Sequence, residues 1–306
     1  MKRIVRNLLG VLSASGIVLT GQPGMAQAPA APQYGVTQSS AVPPYDMSKV
    51  SNSVYSFRFG VHRNMIVVTS DGVIVTDPIS PDAATLMMGE IKKLTNQPVK
   101  LVLYSHNHWD HIAGARIFKD AGARIIQHEL AAKNTPPNPA VVPADQTFSG
   151  NKHVVTLGDQ TVELIYLGPS HGSGMVAMLL PKERILHTID TVTPGRVVFR
   201  GMPDFFPQDW IKALKMMEQL DFDRIVPGHG PAAAPKSAVT EQRQYLEDLS
   251  ASAREAVNKI GNPYALDKIT ELVKVDLRPK YGKWSEFDNW MILNVDRVLL
   301  EQRLGW

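Results

Sequence analysis

Cysteine is absent from all 306 residues. No disulfide can brace this chain, no thiolate can ligate a metal or act as a nucleophile, and no lipid can be attached through an N-terminal cysteine. Long apolar runs are missing too. The best candidate, residues 8–20, is interrupted by Gly10 and Gly16 and falls short of the roughly twenty residues a membrane-spanning helix needs. An excess of one charge is also lacking. There are 32 basic and 29 acidic residues, and the surplus of three is accounted for by Lys2, Arg3 and Arg6 at the very start. Beyond that start the chain is electrically balanced, which argues against nucleic acid or an anionic membrane surface as a partner.

The start itself carries the marks of a secretory signal. A basic opening precedes an apolar stretch, and Ala26-Gln27-Ala28 has the small-x-small form of a cleavage site. Residues 1–28 are therefore expected to be a signal peptide, the protein periplasmic or secreted, and no stable membrane insertion is expected once the signal is removed. Pro29, Pro32, Pro43 and Pro44, set among Ala, Gln and Ser, predict a flexible linker over 29–48. With 44% hydrophobic residues, the remainder suffices for one large domain, assigned to 49–260, and a helical extension over 261–306.

Along that domain, strands are expected over 54–59 and 64–69, with Ser70-Asp71-Gly72 turning into a strand over 73–76. A helix is expected over 81–94, then an apolar buried strand over 99–104, a helix over 112–120 and a strand over 123–127. Residues 133–149, rich in proline, asparagine and alanine, read as a long surface loop. Two strand pairs follow, 154–157 with 161–167 and 175–180 with 184–189. A helix over 207–220 places Trp210, Leu214 and Met217 on one face, and a short strand occupies 223–226. A long helix spans 237–260, with Leu246, Leu249, Ala253 and Ile260 along its apolar stripe. Shorter helices follow, the last over 285–303.

The chemistry concentrates in Ser105-His106-Asn107-His108-Trp109-Asp110-His111. In extended backbone, residues two apart face the same way, so His106 and His108 can share one ion. A turn after them lets Asp110 and His111 face a second position alongside. Imidazole and carboxylate ligands suit zinc, with manganese or iron(II) as alternatives.

The spacing His-x-His-x-Asp-His resembles the signature of the metallo-β-lactamase superfamily. The run is the second of five stations of that pattern, all present in order. Asp77 after Gly72-Val73-Ile74-Val75-Thr76 is the first. His171 in Gly168-Pro169-Ser170-His171-Gly172, Asp190 in Ile185-Leu186-His187-Thr188-Ile189-Asp190 and His229 in Val226-Pro227-Gly228-His229-Gly230 are the third, fourth and fifth. The match runs over roughly residues 55 to 235. It implies an α/β fold, a four-layer αββα sandwich, which strands followed by helices twice over would fit. It also implies two zinc ions per chain. His106, His108 and His171 would hold the first, Asp110, His111 and His229 the second, and Asp190 would bridge them, with Asp77 propping the metal loop from below. Paired divalent cations about 3.5–4 Å apart jointly acidify a water between them and polarise a carbonyl or phosphoryl oxygen. Asp110 is the expected catalytic residue, orienting that water and passing its proton to the leaving group.

Departures from the family pattern narrow the reading. His108 stands where redox diiron members carry glutamate, which favours hydrolysis. The fourth station offers no thiolate. Asp190-Thr191 could mimic the Asp-Ser pair of a cysteine-free β-lactamase subclass, but Ile189-Asp190-Thr191-Val192 resembles more closely the Gly-Asp-x-Val run of glyoxalase II and lactonases, so the bridging role is preferred. Gly172-Ser173-Gly174 replaces the residues that usually follow the third-station histidine, leaving open what hydrogen-bonds His171. Among the other histidines, His62 lies between two early strands, where relatives carry a loop that can fold over the mouth of the site. It could touch substrate, but a surface position is preferred. His128 and His153 are expected at the surface and His187 in a structural role. Trp109 could line the pocket or lie behind the metals, and Phe205, Phe206 and Trp210 read as core or pocket wall. The expected protein is an exported dinuclear zinc hydrolase of a small-molecule ester, lactone, thioester or amide. A β-lactamase, a phosphoester or phosphotriester hydrolase and a non-catalytic binding relative are the alternatives.

Overall fold

A computed structural model describes residues 44–305. The expected signal peptide and most of the expected linker lie outside the described residues. A first sheet takes its strands in chain order: β1 (Tyr45–Lys49), β2 (Val54–Phe59), β3 (His62–Val68), β4 (Val73–Thr76), β5 (Val99–Leu103), β6 (Arg124–His128) and β7 (Gln146–Phe148). It is antiparallel from β1 to β4 and parallel from β4 to β7. The second sheet is built from β8 (Lys152–Leu157), β9 (Gln160–Tyr166), β10 (Val176–Leu180), β11 (Ile185–Thr188), β12 (Arg224–Pro227) and β13 (Ala234–Pro235), in the order β13-β12-β11-β10-β9-β8. Only its β11–β12 pairing is parallel among the described strands.

Three apolar clusters fill the three spaces between four layers. Met65, Val67, Ile74 and Leu103 of the first sheet share one cluster with Val162, Leu164, Met178 and Leu180 of the second. Val73, Val75, Val102 and Ile125 share another with Ala83, Met87 and Ile91 of α1 (Pro81–Leu94) and Phe118 of α3 (Arg116–Asp120). On the far side, Ala177, Leu179, Leu186 and Ile225 meet Trp210 and Leu214 of α5 (Pro207–Glu218) and Leu246 and Leu249 of α6 (Ser237–Ile260). Strand β4 shows the logic. Val73 and Val75 face helices while Ile74 faces the other sheet, so a strand covered on both faces reads as an unbroken apolar run. The result is the expected αββα sandwich. The C-terminal α7 (Leu266–Tyr281) and α8 (Phe287–Leu304) add Val273, Leu277, Val295 and Val298 to the same cluster as α5 and α6.

Local signals place the helix ends. Ser80 caps α1 by accepting from Ala83 N at 3.2 Å, with Pro81 at its first position. Gly261 ends α6 in the left-handed conformation, at φ 71°. Three expectations need correction. Strand β1, all but Lys49 of which was expected in the linker, pairs along its length with β2, and Tyr45 and Met47 pack against the core. The expected loop over 133–149 overlaps the end of α4 (Glu129–Asn134) and contains β7. The helix expected over 112–120 is two short helices, α2 (Trp109–Ile112) and α3, separated at Gly114. A Cβ on Gly114 would lie 2.2 Å from Pro78 O and 2.6 Å from Ser80 O, so the chain there must be glycine to pass beneath the segment after β4. No helix among the described residues is long and apolar enough to cross a membrane.

Candidate metal centre

The ends of four strands converge at one end of the sandwich: Asp77 follows β4, Ser105 and His106 follow β5, Asp190 follows β11, and His229 follows β12. These are the carboxyl ends of parallel pairs, where α/β sheets place their ligands. The turns are tight and specific. Asp77, at φ 34° and fully buried, accepts from Ser105 N through Oδ1 at 2.7 Å, fixing the start of the histidine run. Ile79 N donates to His111 O at 2.6 Å, fixing its end. Gly228 lets the end of β12 press against Ile189, where a Cβ would come within 2.9 Å of the Ile189 Cα. His187, fully buried as expected for a structural residue, ties the sheets together under the site. Its Nδ1 donates to Val226 O at 2.8 Å and its Nε2 lies 3.1 Å from Thr76 Oγ1.

All seven residues expected as ligands are brought together. For most of the imidazoles one ring nitrogen is occupied by an outer partner, which leaves the other free to face the centre. His106 Nδ1 lies 2.8 Å from Ser105 Oγ. His108 Nε2 lies 2.6 Å from Asp204 Oδ2, and His171 Nδ1 comes within 3.2 Å of Asp204 Oδ1. His229 Nδ1 donates to Val61 O at 2.8 Å. The Asp190 carboxylate stands in the middle. Its Oδ2 is 3.4, 3.3 and 3.1 Å from Nε2 of His106, His111 and His171, and its Oδ1 is 2.7 Å from His229 Nε2. Asp190 is at φ 59°, a backbone shape that aspartate tolerates better than most residues. Thr191 takes no part in the cluster, because it is buried with its hydroxyl against that of Thr188.

The charges are arranged for cation binding. Burial pushes the Asp190 carboxyl up, but the charges of His111 and His229 and the surrounding imidazoles outweigh it and hold the group well below its ordinary range. Burial likewise opposes ionisation of Asp110 and Asp204, and hydrogen bonds from His62 and from His108 and His171, respectively, overcome it, so both are held below the usual carboxylate range. Burial drives His106 down to about 4, leaving a neutral imidazole. At His171 burial also acts downward, but Asp190 and Asp204 prevail and the ring is raised to about 9.

Two residues outside the expected set belong here. His62, expected at the surface, lies with its Nε2 3.2 Å from Asp110 Oδ2 and its ring 4.9 and 5.1 Å from those of His111 and His229. Asp204 lies against both His108 and His171, and its backbone carbonyl accepts from Gly172 N at 3.0 Å, which ties it to the glycine-rich stretch after His171. His128 is also buried, contrary to expectation, stacked on Tyr166 and edge-on to Phe148, and His153 is half-buried, stacked on Phe148. Trp109 is 55% exposed and so does not lie behind the cluster. Phe205 is a buried core aromatic, stacked at 3.8 Å on His171 and at 4.0 Å on Trp210.

The donor set fits divalent cations. One ligand atom from each of His106, His108, His171 and Asp190 lies within 4.8 Å of the others, and the same holds for His62, His111 and His229. His106 Nε2 is buried without a hydrogen-bond partner, an arrangement that costs free energy unless a ligand satisfies it.

An αββα sandwich with a histidine-aspartate cluster at the carboxyl ends of its inner strands defines a class of metal-binding α/β proteins. Residues 58–229 match the metallo-beta-lactamase superfamily, and the chain belongs to it. The chain is 33% identical over 184 residues to the 2,4-dinitroanisole O-demethylase subunit alpha of Nocardioides sp. (strain JS1661), covering 59% of this chain and 56% of that one. It is 22% identical over 300 residues to the linear primary-alkylsulfatase of Pseudomonas sp. (strain ATCC 19151), covering 79% and 55%. It thus spans little more than half the length of these relatives. A metallo-beta-lactamase from Pontibacter korlensis has the same fold, with a TM-score of 0.58 at 22% identity over 66% of this chain and 99% of that one.

Proposed function

We propose that this protein is an exported dinuclear zinc hydrolase of a small-molecule ester, lactone, thioester or amide, with manganese or iron(II) as alternative metals. The observation that carries the reading is the Asp190 carboxylate, set within 3.4 Å of imidazoles from both nests, as a shared anionic ligand between two cations would be. His106, His108 and His171 would hold one ion, and Asp110, His111 and His229 the other. The pair, when bound, would supply an acidified water and polarise the oxygen of the bond to be cut.

The chain's own residues do the rest. Asp110 Oδ2 lies 3.8 Å from His111 Nε2, and its side chain is still open to solvent, so the carboxylate can accept a proton at Oδ2 and release it to a leaving group. Val61 and Trp109, 44% and 55% exposed, flank His62 and Asp110 in the chain and offer apolar surface to a substrate's non-reacting part. The names of the relatives span an O-demethylase subunit, an alkylsulfatase and, at 25% identity, a Bacillus cereus metallo-beta-lactamase. That spread fits a shared metal site whose selectivity lies in its surroundings. The burial of the Thr191 hydroxyl against Thr188 weighs against the Asp-Ser ligand pattern of a cysteine-free β-lactamase. The reading is tested by assaying zinc-loaded protein on aryl esters, lactones, thioesters, nitrocefin, phosphotriesters and alkyl sulfates. Turnover of one of the first three classes is expected. Preferential turnover of nitrocefin or a phosphotriester would replace the reading, and inactivity throughout with two ions bound would end it.

A further inference from the structure

We propose that His62 is a metal ligand, so that the second position is a three-imidazole site formed by His62, His111 and His229, with the Asp110 carboxylate beside it. The proposal rests on the two-ion reading above and adds a residue to it. The three rings do not stack. His62 meets His111 at 76° and His229 at 56°, while one nitrogen from each lies within 4.8 Å of the other two. Imidazole nitrogens that converge on one point set lone pair against lone pair or charge against charge, and a cation at that point relieves the conflict.

The placement of His62 is fixed from both sides by the loop that carries His229. Val61 O accepts from His229 Nδ1 at 2.8 Å, and Arg63 N donates to Gly228 O at 2.7 Å. The Arg63 side chain returns to the same loop, its Nε donating to Gly230 O at 2.7 Å, and is anchored beyond by Ser56 Oγ and Asp46. His62 is therefore built into the floor of the second position by the backbone that positions another of its imidazoles. The turn at the tip of β2 and β3 is thus tied to the loop after β12. An added imidazole also has a chemical consequence. It makes the second position richer in nitrogen, which favours zinc, cobalt or copper over manganese or magnesium.

The test uses the full chain loaded with cadmium-113 and labelled with nitrogen-15 histidine, alongside His62→Ala and His62→Gln. Scalar coupling between cadmium and a His62 ring nitrogen is expected. In chelator competition with zinc, both variants should lose the second equivalent while keeping the first, with a loss in second-site affinity beyond the roughly 10–100-fold typical of an outer hydrogen-bond partner. Two bound cadmium ions with no coupling to His62 would overturn the proposal. So would wild-type affinity in His62→Gln, whose amide can still hydrogen-bond Asp110, because that would reduce His62 to positioning the carboxylate. A wild-type protein that binds fewer than two ions would sink the two-ion reading first, and the proposal with it.

Discussion

Replacing Asp204 with asparagine should weaken the first metal position selectively. In the native site this one carboxylate faces two imidazole nitrogens, His108 Nε2 at 2.6 Å and His171 Nδ1 at 3.2 Å, and thereby leaves His108 Nδ1 and His171 Nε2 as the nitrogens available to an ion. An amide of the same shape has only one oxygen. It can accept from one ring but must turn its NH₂ toward the other, setting donor against donor. The lost interaction is a hydrogen bond to a charged group, worth about 1.5–3 kcal/mol. At about 1.4 kcal/mol per tenfold, first-site affinity should fall by roughly 10–10²-fold, in keeping with what is generally lost when such an outer partner is removed. The second position should be affected much less. The assay is chelator competition with zinc, read as two separate affinities, with thermal melting of the metal-free protein as a check on folding. If Asp204→Asn and Asp204→Ala both bound the first ion as tightly as wild type, with unchanged melting, the idea that this carboxylate orients the two histidines would be wrong.

Two further predictions concern the scaffold. Gly114→Ala places a Cβ 2.2 Å from Pro78 O, a backbone atom that cannot swing away, so it should destabilise the fold by about 1–3 kcal/mol; an unchanged denaturation midpoint would refute the close approach. Burial pushes the Asp46 carboxyl up, but hydrogen bonds from Arg58 and Ser48 and the charge of Arg63 together hold it below its ordinary value of 3.8. The stability this brings is present above that value and is lost as pH falls through the lower folded-state value. The advantage of wild type over Asp46→Asn in denaturant titrations should therefore shrink below pH 3.8, and a pH-independent difference would count against it.

What could be read from the chain was whatever short-range chemistry dictates. Helices α1 and α6 fall on the expected residues because Ser80-Pro81 and Gly261 mark their ends within one turn. The seven candidate ligands were legible because four of them crowd one loop and the rest sit in small-residue turns of recognisable spacing. Strand β1 was missed although Tyr45-Asp46-Met47-Ser48-Lys49 alternates in polarity, because Pro43-Pro44 beside it outweighed a five-residue pattern. His128, next to Glu129, looks polar in sequence, yet its ring is enclosed by Tyr166 and Phe148, which come from other strands. For His62 the chain offered only its place between two early strands, and Asp204 had no local signal at all. One begins a strand after a hairpin turn, and the other sits in Met202-Pro203-Asp204-Phe205, a stretch without periodicity. Each reaches the site only through a tertiary contact, across 48 residues to Asp110 in one case and 96 to His108 in the other.

The Asp204 loop also shows why the C-terminal helices belong to the site. Arg200 and Met202 hold φ of 45° and 46°, shapes that cost of order 1–3 kcal/mol each in residues with a Cβ and persist only where the surroundings impose them. Helix α8 braces this segment. Asn294, fully buried, donates from Nδ2 to Val198 O at 3.0 Å and Arg200 O at 2.5 Å, and its own oxygen accepts from Tyr245 of α6 at 2.7 Å. Arg297, one turn further along, donates to Phe205 O. Phe205 in turn stacks on His171. The superfamily match ends at His229, so the carboxylate that steers two of the matched histidines is held by residues beyond the match. On the two-ion reading, ligands in the shared core would set where an ion sits, while α6 and α8 brace the loop that brings Asp204 to His108 and His171. That is a physical reason for the extension to share one apolar cluster with the sheet instead of standing apart as an appendage.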